Sequence, residues 1–469
     1  MQLLGRIAGT LASIFSTKLT TSYLGLNDYG LLVAAIAFVG LWNSLAELGT
    51  SGIITRKVTS EGADLGHLVR TNIGLSASYC LPLFAVCLAV GWGTYRGQGQ
   101  LPVLIVVIAI GLLFSTFTTC LYPVFLTTVR FNAVALSDFS SRVVMLAGTV
   151  LVIHWHGGLV WIAAMQLVPP TIQAIVAAVA ARRHVSSLWP RFHRADSIAL
   201  LRESLPMTAV AIIGVLYWRA DALLLSLLSS HREVAAYGLA FNVAFNLSVV
   251  PALFLTSSLS TMTESYTHDR PAFVHFLHQT MDGLYFLGAP ILLFGTLSAE
   301  PVLRLLSSET FVGVATAPLR ILLVCVVITF FTGVLGQALF AAHDQSFLLR
   351  LNMVNLILNI GLNLLLIPHL NAIGAAIALV GSELSGISVA CWRLRRLTGF
   401  APRLGFLLRL IPALGLGVAV WFAVRNLPVL AAIALVALAY VGVNLVLGPV
   451  RVATIKSLLR PAPVQPTSV

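Results

Sequence analysis

Long apolar runs, each about the length of a bilayer crossing and parted by short polar breaks, fill this chain almost from end to end. A helix needs about 20 mostly apolar residues to span the hydrocarbon core. Runs of that kind predict helices over residues 4–23, 29–50, 71–95, 101–128, 136–154, 158–181, 205–228, 234–262, 275–297, 315–341, 346–367, 371–393, 404–424 and 428–448. The first is amphipathic, interrupted by Ser, Thr and Lys18, and reads as a retained helix rather than a removed signal peptide. Connections stay within roughly two dozen residues, too short for a folded catalytic domain outside the membrane. The pattern predicts an all-α polytopic membrane protein.

Composition sharpens this picture. Of 469 residues, 58% are hydrophobic and only 9% charged, against roughly 25% charged in soluble domains. Lipid has to be the solvent. A formal charge of +12 would suggest nucleic acid on a soluble protein, but here the cations fall in loops. Loops after odd-numbered helices hold only Arg96, Arg232, Arg304 and Arg425, while loops after even-numbered helices and the C-terminal tail hold nineteen Lys and Arg residues. The positive-inside rule then places both termini in the cytoplasm and makes the helix number even. Cys80, Cys87, Cys120, Cys325 and Cys391 lie in or beside apolar runs without a C-x-x-C pair, so neither disulfides nor a metal site is expected. There is no Walker A motif and no soluble-type catalytic signature. No cofactor is expected, and the chain reads as a transporter rather than an enzyme.

The richest basic loop, around 182–202, divides the chain after the sixth helix. The expected organisation is an N-terminal six-helix lobe over 1–185, a basic inter-lobe loop over 186–204, a second lobe over 205–395, an added helix pair over 396–450 and a tail over 451–469. Internal similarity supports two halves: Tyr29-Gly30-Leu31 recurs as Tyr237-Gly238-Leu239, and Gly148 aligns with Gly361. Six is an even number, so the halves share orientation and are related by an axis along the membrane normal.

Charges at bilayer depth are costly and mark function or pairing. Lys18 lies deep in helix 1, and Arg219 and Asp221 lie at similar depth in its repeat partner, helix 7. Two residues apart, Arg219 and Asp221 point about 200° from one another, so one faces a cavity and the other a neighbouring helix. Arg142 lies one turn from Asp138, so the two either bond one another or leave Arg142 to a cavity; Arg320 lies in helix 10, Glu383 in helix 12 and Asp282 in helix 9. Helix 11 carries Asn352, Asn355, Asn359 and Asn363 within about an 80° arc. Such a stripe serves either as interhelical glue or as a hydroxyl-binding wall. Asn242 and Asn246 extend the pattern on helix 8.

The stretch LTTSYLGLNDYGLLVAAIAFVGLWNSLAELGTSGIITRKV resembles the opening of the polysaccharide flippases of the MOP superfamily, through Asp28-Tyr29-Gly30, Leu48-Gly49 and Arg56. RADALLLSLLSSHREVAAYGLAFNV is similar to the family's helix 7–8 element, with Asp221 ahead of Tyr237, Gly238 and Ala240. The resemblance implies two lobes working by alternating access in the bacterial cytoplasmic membrane. It implies a cargo of polyprenyl-diphosphate-linked oligosaccharide, on undecaprenyl diphosphate, for O-antigen, lipopolysaccharide or exopolysaccharide synthesis. It also implies a cationic cavity, for which Lys18, Arg142, Arg219 and Arg320 are the candidate diphosphate ligands. The asparagines are candidate glycan contacts. Glu383, Asp221 and Asp282 are candidates for coupling to H⁺ or Na⁺. Polymerase and glycosyltransferases are the expected protein partners. The rival readings are a cation-coupled multidrug exporter, which wants an acidic or apolar cavity, and a membrane glycosyltransferase or polymerase, which wants a large external loop or clustered acids.

Overall fold

The computed structural model describes residues 2–46, 48–128, 131–185, 187–403 and 405–446, so the expected tail over 451–469 lies outside the described residues. Described residues outside the helices form turns and short loops, with no strand among them. Among the described residues, eleven segments are long and apolar enough to cross a membrane. Two of them are long enough to do so twice. At 1.5 Å per residue, the 45 residues of α1 (Gln2–Ala46) and the 54 of α13 (Gln345–Thr398) reach about 68 and 81 Å, more than twice a ~30 Å hydrocarbon core. With the more polar pair α9 (His231–Phe245) and α10 (Val249–His268) as a further crossing, the described helices make fourteen passes.

Each long helix breaks at a residue suited to the break. Gly25 takes φ 72° and ψ 179°, a conformation that costs glycine no Cβ clash. Asn371 takes φ 50° and ψ −128°, three residues after Pro368; the proline withholds a backbone donor, and asparagine tolerates positive φ better than most side chains. These breaks fall in the gaps expected at 24–28 and 368–370 or just beside them.

Packing divides the chain into two compact units. Unit 1 comprises Met1–Gly238 with Leu306–Phe311. It holds α1, the short α2 (Thr50–Glu61), α3 (Leu65–Thr94), α4 (Leu101–Thr128), α5 (Phe131–His154), α6 (Leu159–Ala164), α7 (Val168–Ala181) and α8 (Arg194–Leu228). Here α1 packs against α5, α4 and α8, while α4 and α5 both pack on α7. A core of Val69, Ile73, Leu121, Val124, Phe125, Ala177 and Ala181 joins α3, α4 and α7. Leu81, Trp161, Ile175 and Val179 are exposed on the outer helix faces, as expected where the solvent is lipid. Of the loop expected over 186–204, residues 187–193 are non-helical. From Arg194 the chain is already helical, with Asp196 in the first turn where the helix dipole favours it.

Unit 2 comprises Leu239–Leu305 and Val312–Val469. Its helices are α10, α11 (Arg270–Leu306), α12 (Glu309–Ala341), α13, α14 (Gly405–Val424) and α15 (Val429–Val446). The last two form a hairpin fixed to α11 by Phe294, Ala413, Trp421, Val436 and Tyr440. Tyr440 Oη donates to the Phe286 carbonyl at 2.9 Å, which satisfies a hydroxyl that burial would otherwise strand. The arms of α13 fold back on each other: Asn359 meets Ser382 and Asn355 meets Gly386, both pairs centred on residues 370–371.

Candidate functional site

In unit 1 the basic candidates gather on elements that pack on α1. Arg142 of α5 donates through Nε to Asp138 at 3.1–3.2 Å and through Nη1 to Ser13 Oγ of α1 at 2.7 Å. Its aliphatic stem lies over Gly9, where a Cβ would stand 3.0 Å from Cδ. Of the two alternatives that the one-turn spacing leaves open, the pair with Asp138 is the one present, and Arg142 adds little net charge. Arg219 of α8 is different. Its half-buried guanidinium rests over Gly40 in the second arm of α1, with Nε 3.4 Å and Cζ 3.5 Å from where a Cβ would be. No carboxylate pairs with it among the described residues. Lys18, half-buried on the first arm, has no ion pair among the described residues either.

Asp221 turns away from Arg219, as the angular argument requires. It is 1% exposed and accepts a 2.9 Å hydrogen bond from Tyr237 Oη of α9. That bond holds a buried carboxylate that would be expensive alone.

Beside it lies a junction that sequence reasoning did not foresee. The glycines of the two Tyr-Gly-Leu repeats, Gly30 and Gly238, each sit at a close approach between α1 and α9. Gly30 of α1 lies against the His231 backbone, and a Cβ there would stand 2.6 Å from the His231 carbonyl carbon. Gly238 of α9 lies against Val33 of α1, with Cγ2 3.0 Å from its Cβ position. Tyr29 meets the ring of Phe311 edge-on at 5.5 Å. Thr21 donates to the Leu306 carbonyl at 3.2 Å, and the Tyr95 and Ser226 hydroxyls share a 2.7 Å hydrogen bond. Repetition of the motif was the available signal; its meaning as a contact was not encoded in either copy alone.

In unit 2 the asparagine stripe divides. Asn355, Asn359 and Asn363 are buried inside the α13 hairpin, while Asn352 is exposed. Asn363 Nδ2 donates to the Asn359 carbonyl at 2.9 Å, and Asn359 Nδ2 lies 3.5 Å from Ser382 Oγ. Asn355 Nδ2 would be 2.5 Å from a Cβ at Gly386. Glu383, 4% exposed, is buried on the second arm. Asn242 and Asn246 are exposed, with Asn246 Nδ2 donating to the Asn242 carbonyl at 2.7 Å. Arg320 is exposed on α12 and donates to the Thr296 carbonyl at 3.3 Å. Asp282, half-buried on α11, lies within electrostatic reach of His278, Arg403 and Arg409. Among the described residues no group of three or more His, Cys, Asp or Glu side chains could hold a metal ion.

This arrangement defines a class: a helical membrane protein with the fold of MOP-superfamily transporters. Of the solved structures, the lipid II flippase MurJ in an inward closed conformation is similar with a TM-score of 0.80 and 14% identity, covering 98% of this chain and 100% of that one. An inward-facing multidrug resistance MATE family transporter is similar at 0.67 and 16%, over 83% of this chain and 95% of that one. A point mutant of the Vibrio cholerae MATE transporter VcmN gives 0.54 and 18%, over 84% and 95%. No curated protein matches in sequence. The chain belongs to the polysaccharide biosynthesis protein family, whose model matches residues 1–263. The MatE model also matches, over residues 206–365.

Proposed function

We propose that this protein is a flippase that moves a polyprenyl-diphosphate-linked oligosaccharide across the bacterial cytoplasmic membrane for surface polysaccharide synthesis. The observation that carries this reading is the presence of two half-buried cations, Lys18 and Arg219, without acidic partners among the described residues. A diphosphate brings about two negative charges into a medium where unpaired charge is prohibitive, and cationic forks offset that cost. An arginine suits this better than an ammonium, because its planar donors engage two oxygens at once. Within this reading Arg142 orients α1 against α5 while Lys18 and Arg219 meet the diphosphate. Arg320, held by a single carbonyl, is a further cation for that cargo. Exposed Asn352, Asn242 and Asn246 serve the glycan hydroxyls, whereas Asn355, Asn359 and Asn363 hold the arms of α13 together.

The reading keeps the lobes at 1–185 and 205–395 with 396–450 as an added pair, and both termini in the cytoplasm. The undecaprenyl carrier, O-antigen or exopolysaccharide cargo, and polymerase and glycosyltransferase partners belong to it as well. Asp221, Asp282 and Glu383 would couple return of the empty carrier to H⁺ or Na⁺.

The MatE match favours a second reading, export of organic cations coupled to an ion. Cargo charge separates the two, because Lys18 and Arg219, without acidic partners among the described residues, repel a cation and attract a diphosphate. Complementation of a flippase-null strain, scored by surface polysaccharide, tests the proposal. Wild type restores the polymer, and Arg219→Ala fails to do so while reaching the membrane in equal amount. Restoration by Arg219→Ala, or resistance to organic cations with no restored polymer, overturns it.

A further inference from the structure

The segment joining α7 to α8 has a construction that the transport reading leaves unused. Its backbone is tied to α3. Arg191 N–H donates to the Arg70 carbonyl at 3.0 Å, and Arg70 Nε donates to the Trp189 carbonyl at 3.2 Å. The Arg191 carbonyl lies so close to Gly74 that a Cβ there would be 2.8 Å from the carbonyl carbon. Val185 and Leu188 anchor the same segment in the α3–α4–α7 core.

A strap pinned this firmly has no conformational reason to leave aromatic side chains in the open. Yet Trp189 is 78% and Phe192 69% exposed. Around them Arg182, Arg183, Arg191 and Arg194 are all exposed and make no ion pair among the described residues. The neighbouring acids are committed elsewhere. Asp196 bonds His67 and His193, Glu203 bonds Lys57 and Arg56, and Asp64 accepts from Gly66 N–H and His67 N–H at the start of α3.

We propose that residues 182–194 form a lipid-reading strap. Trp189 and Phe192 sit in the headgroup layer of the protein's own membrane, and the four arginines hold anionic phospholipid headgroups. The chemistry matches on both counts. Amphipathic aromatics are favoured at the level of the headgroups, and guanidinium forks engage phosphate oxygens in pairs. Clustered cations beside a membrane span are drawn to an anionic leaflet. Assignment to the cytoplasmic leaflet rests on the orientation in the proposed function; the lipid contact itself does not.

The test uses the full chain in nanodiscs of phosphatidylcholine alone or mixed with phosphatidylglycerol, with bromine-labelled acyl chains as quencher. Subtracting the emission of a Trp189→Phe variant isolates the signal of Trp189. The expected result is a blue-shifted Trp189 emission, quenched strongly with phosphatidylglycerol and much less without it. Changing Arg182, Arg183, Arg191 and Arg194 together to Gln should bring the first value down to the second. These side chains are exposed, so melting temperature should not change and serves as the folding control. Trp189 emission open to aqueous iodide in both disc types, or quenched equally in both and in the four-arginine variant, overturns the proposal. Labelling of a Ser187→Cys variant in intact cells reports sidedness separately. A strap reached from outside sinks the orientation while leaving the quenching result to judge the strap.

Discussion

Replacing Gly30 by alanine puts one methyl group where α1 and α9 touch through backbone. The new Cβ would stand 2.6 Å from the His231 carbonyl carbon and 3.1 Å from its Cα. A flexible side chain could swing away, but a helix backbone cannot, so the two helices must part by roughly 1 Å in an interior packed as densely as a crystal. Overpacking of this kind costs about 1–3 kcal/mol, and a collision with backbone belongs near the top of that range. Against it stands the helix-propensity gain of Gly→Ala, about 1 kcal/mol. The net is about 2 kcal/mol against the closed junction, or roughly a 30-fold shift in its opening equilibrium. Hydrogen exchange followed by mass spectrometry in nanodiscs reads this directly through protection of the α9 amides over 231–238. Gly93→Ala is the matched control, because no described residue lies within 4 Å of its Cβ position and only the propensity gain applies. Exchange at 231–238 should speed up by roughly 30-fold in Gly30→Ala and stay level or slow in Gly93→Ala. Equal behaviour of the two variants would refute the close approach and everything argued from it.

Three further outcomes follow from the same geometry. Asn355→Leu together with Asn359→Leu removes hydrogen bonds and places bulk against Gly386, so the melting temperature should fall by the equivalent of about 2–4 kcal/mol. Transport per folded molecule should hold, and a transport defect at full stability would return these residues to the cargo path. Glu383→Gln should weaken the ion dependence of transport in proteoliposomes; an unchanged dependence on H⁺ and Na⁺ removes Glu383 from coupling. His231, at the mouth of α9 outside the expected span over 234–262, has its imidazole pushed below the ordinary value by burial, and its Nδ1 is buried without a hydrogen-bond partner among the described residues. Because the folded value is depressed, the junction is at full strength above the unfolded pKa of ~6.5 and weakens as pH falls through the folded one. Exchange at 231–238 should therefore rise on acidification, and His231→Gln should remove that step.

Much of the fold was legible in the sequence because lipid imposes a length on each helix, and lengths survive in a one-dimensional pattern. The break at Asn371 falls at the first residue of the twelfth expected helix. The start of α8 did not show, since residues 194–204 carry arginines and acids that read as loop but lie along the outside of a helix. For the site, angular spacing set Arg219 and Asp221 on different helix faces, and one-turn spacing offered the Arg142–Asp138 pair as one of two alternatives. Periodicity also found the asparagine stripe. It could not say which neighbour the stripe faces, because a helix buries a polar face equally well against another helix or against water. The meeting of Gly30 with His231 and of Gly238 with Val33 lay beyond reach for a similar reason, being a property of two distant segments together.

The seam inside α13 also bears on how the protein is made. A lone first arm entering the bilayer would offer Asn355, Asn359 and Asn363 to acyl chains, and a lone second arm would offer Glu383, a residue type that insertion scales penalise by about 2.5–3.5 kcal/mol when charged. Threaded together, the arms set Asn359 against Ser382 and Asn355 against Gly386. Residues 345–398 should therefore leave the translocon as a single pair, with the turn at Asn371 formed before either arm meets lipid.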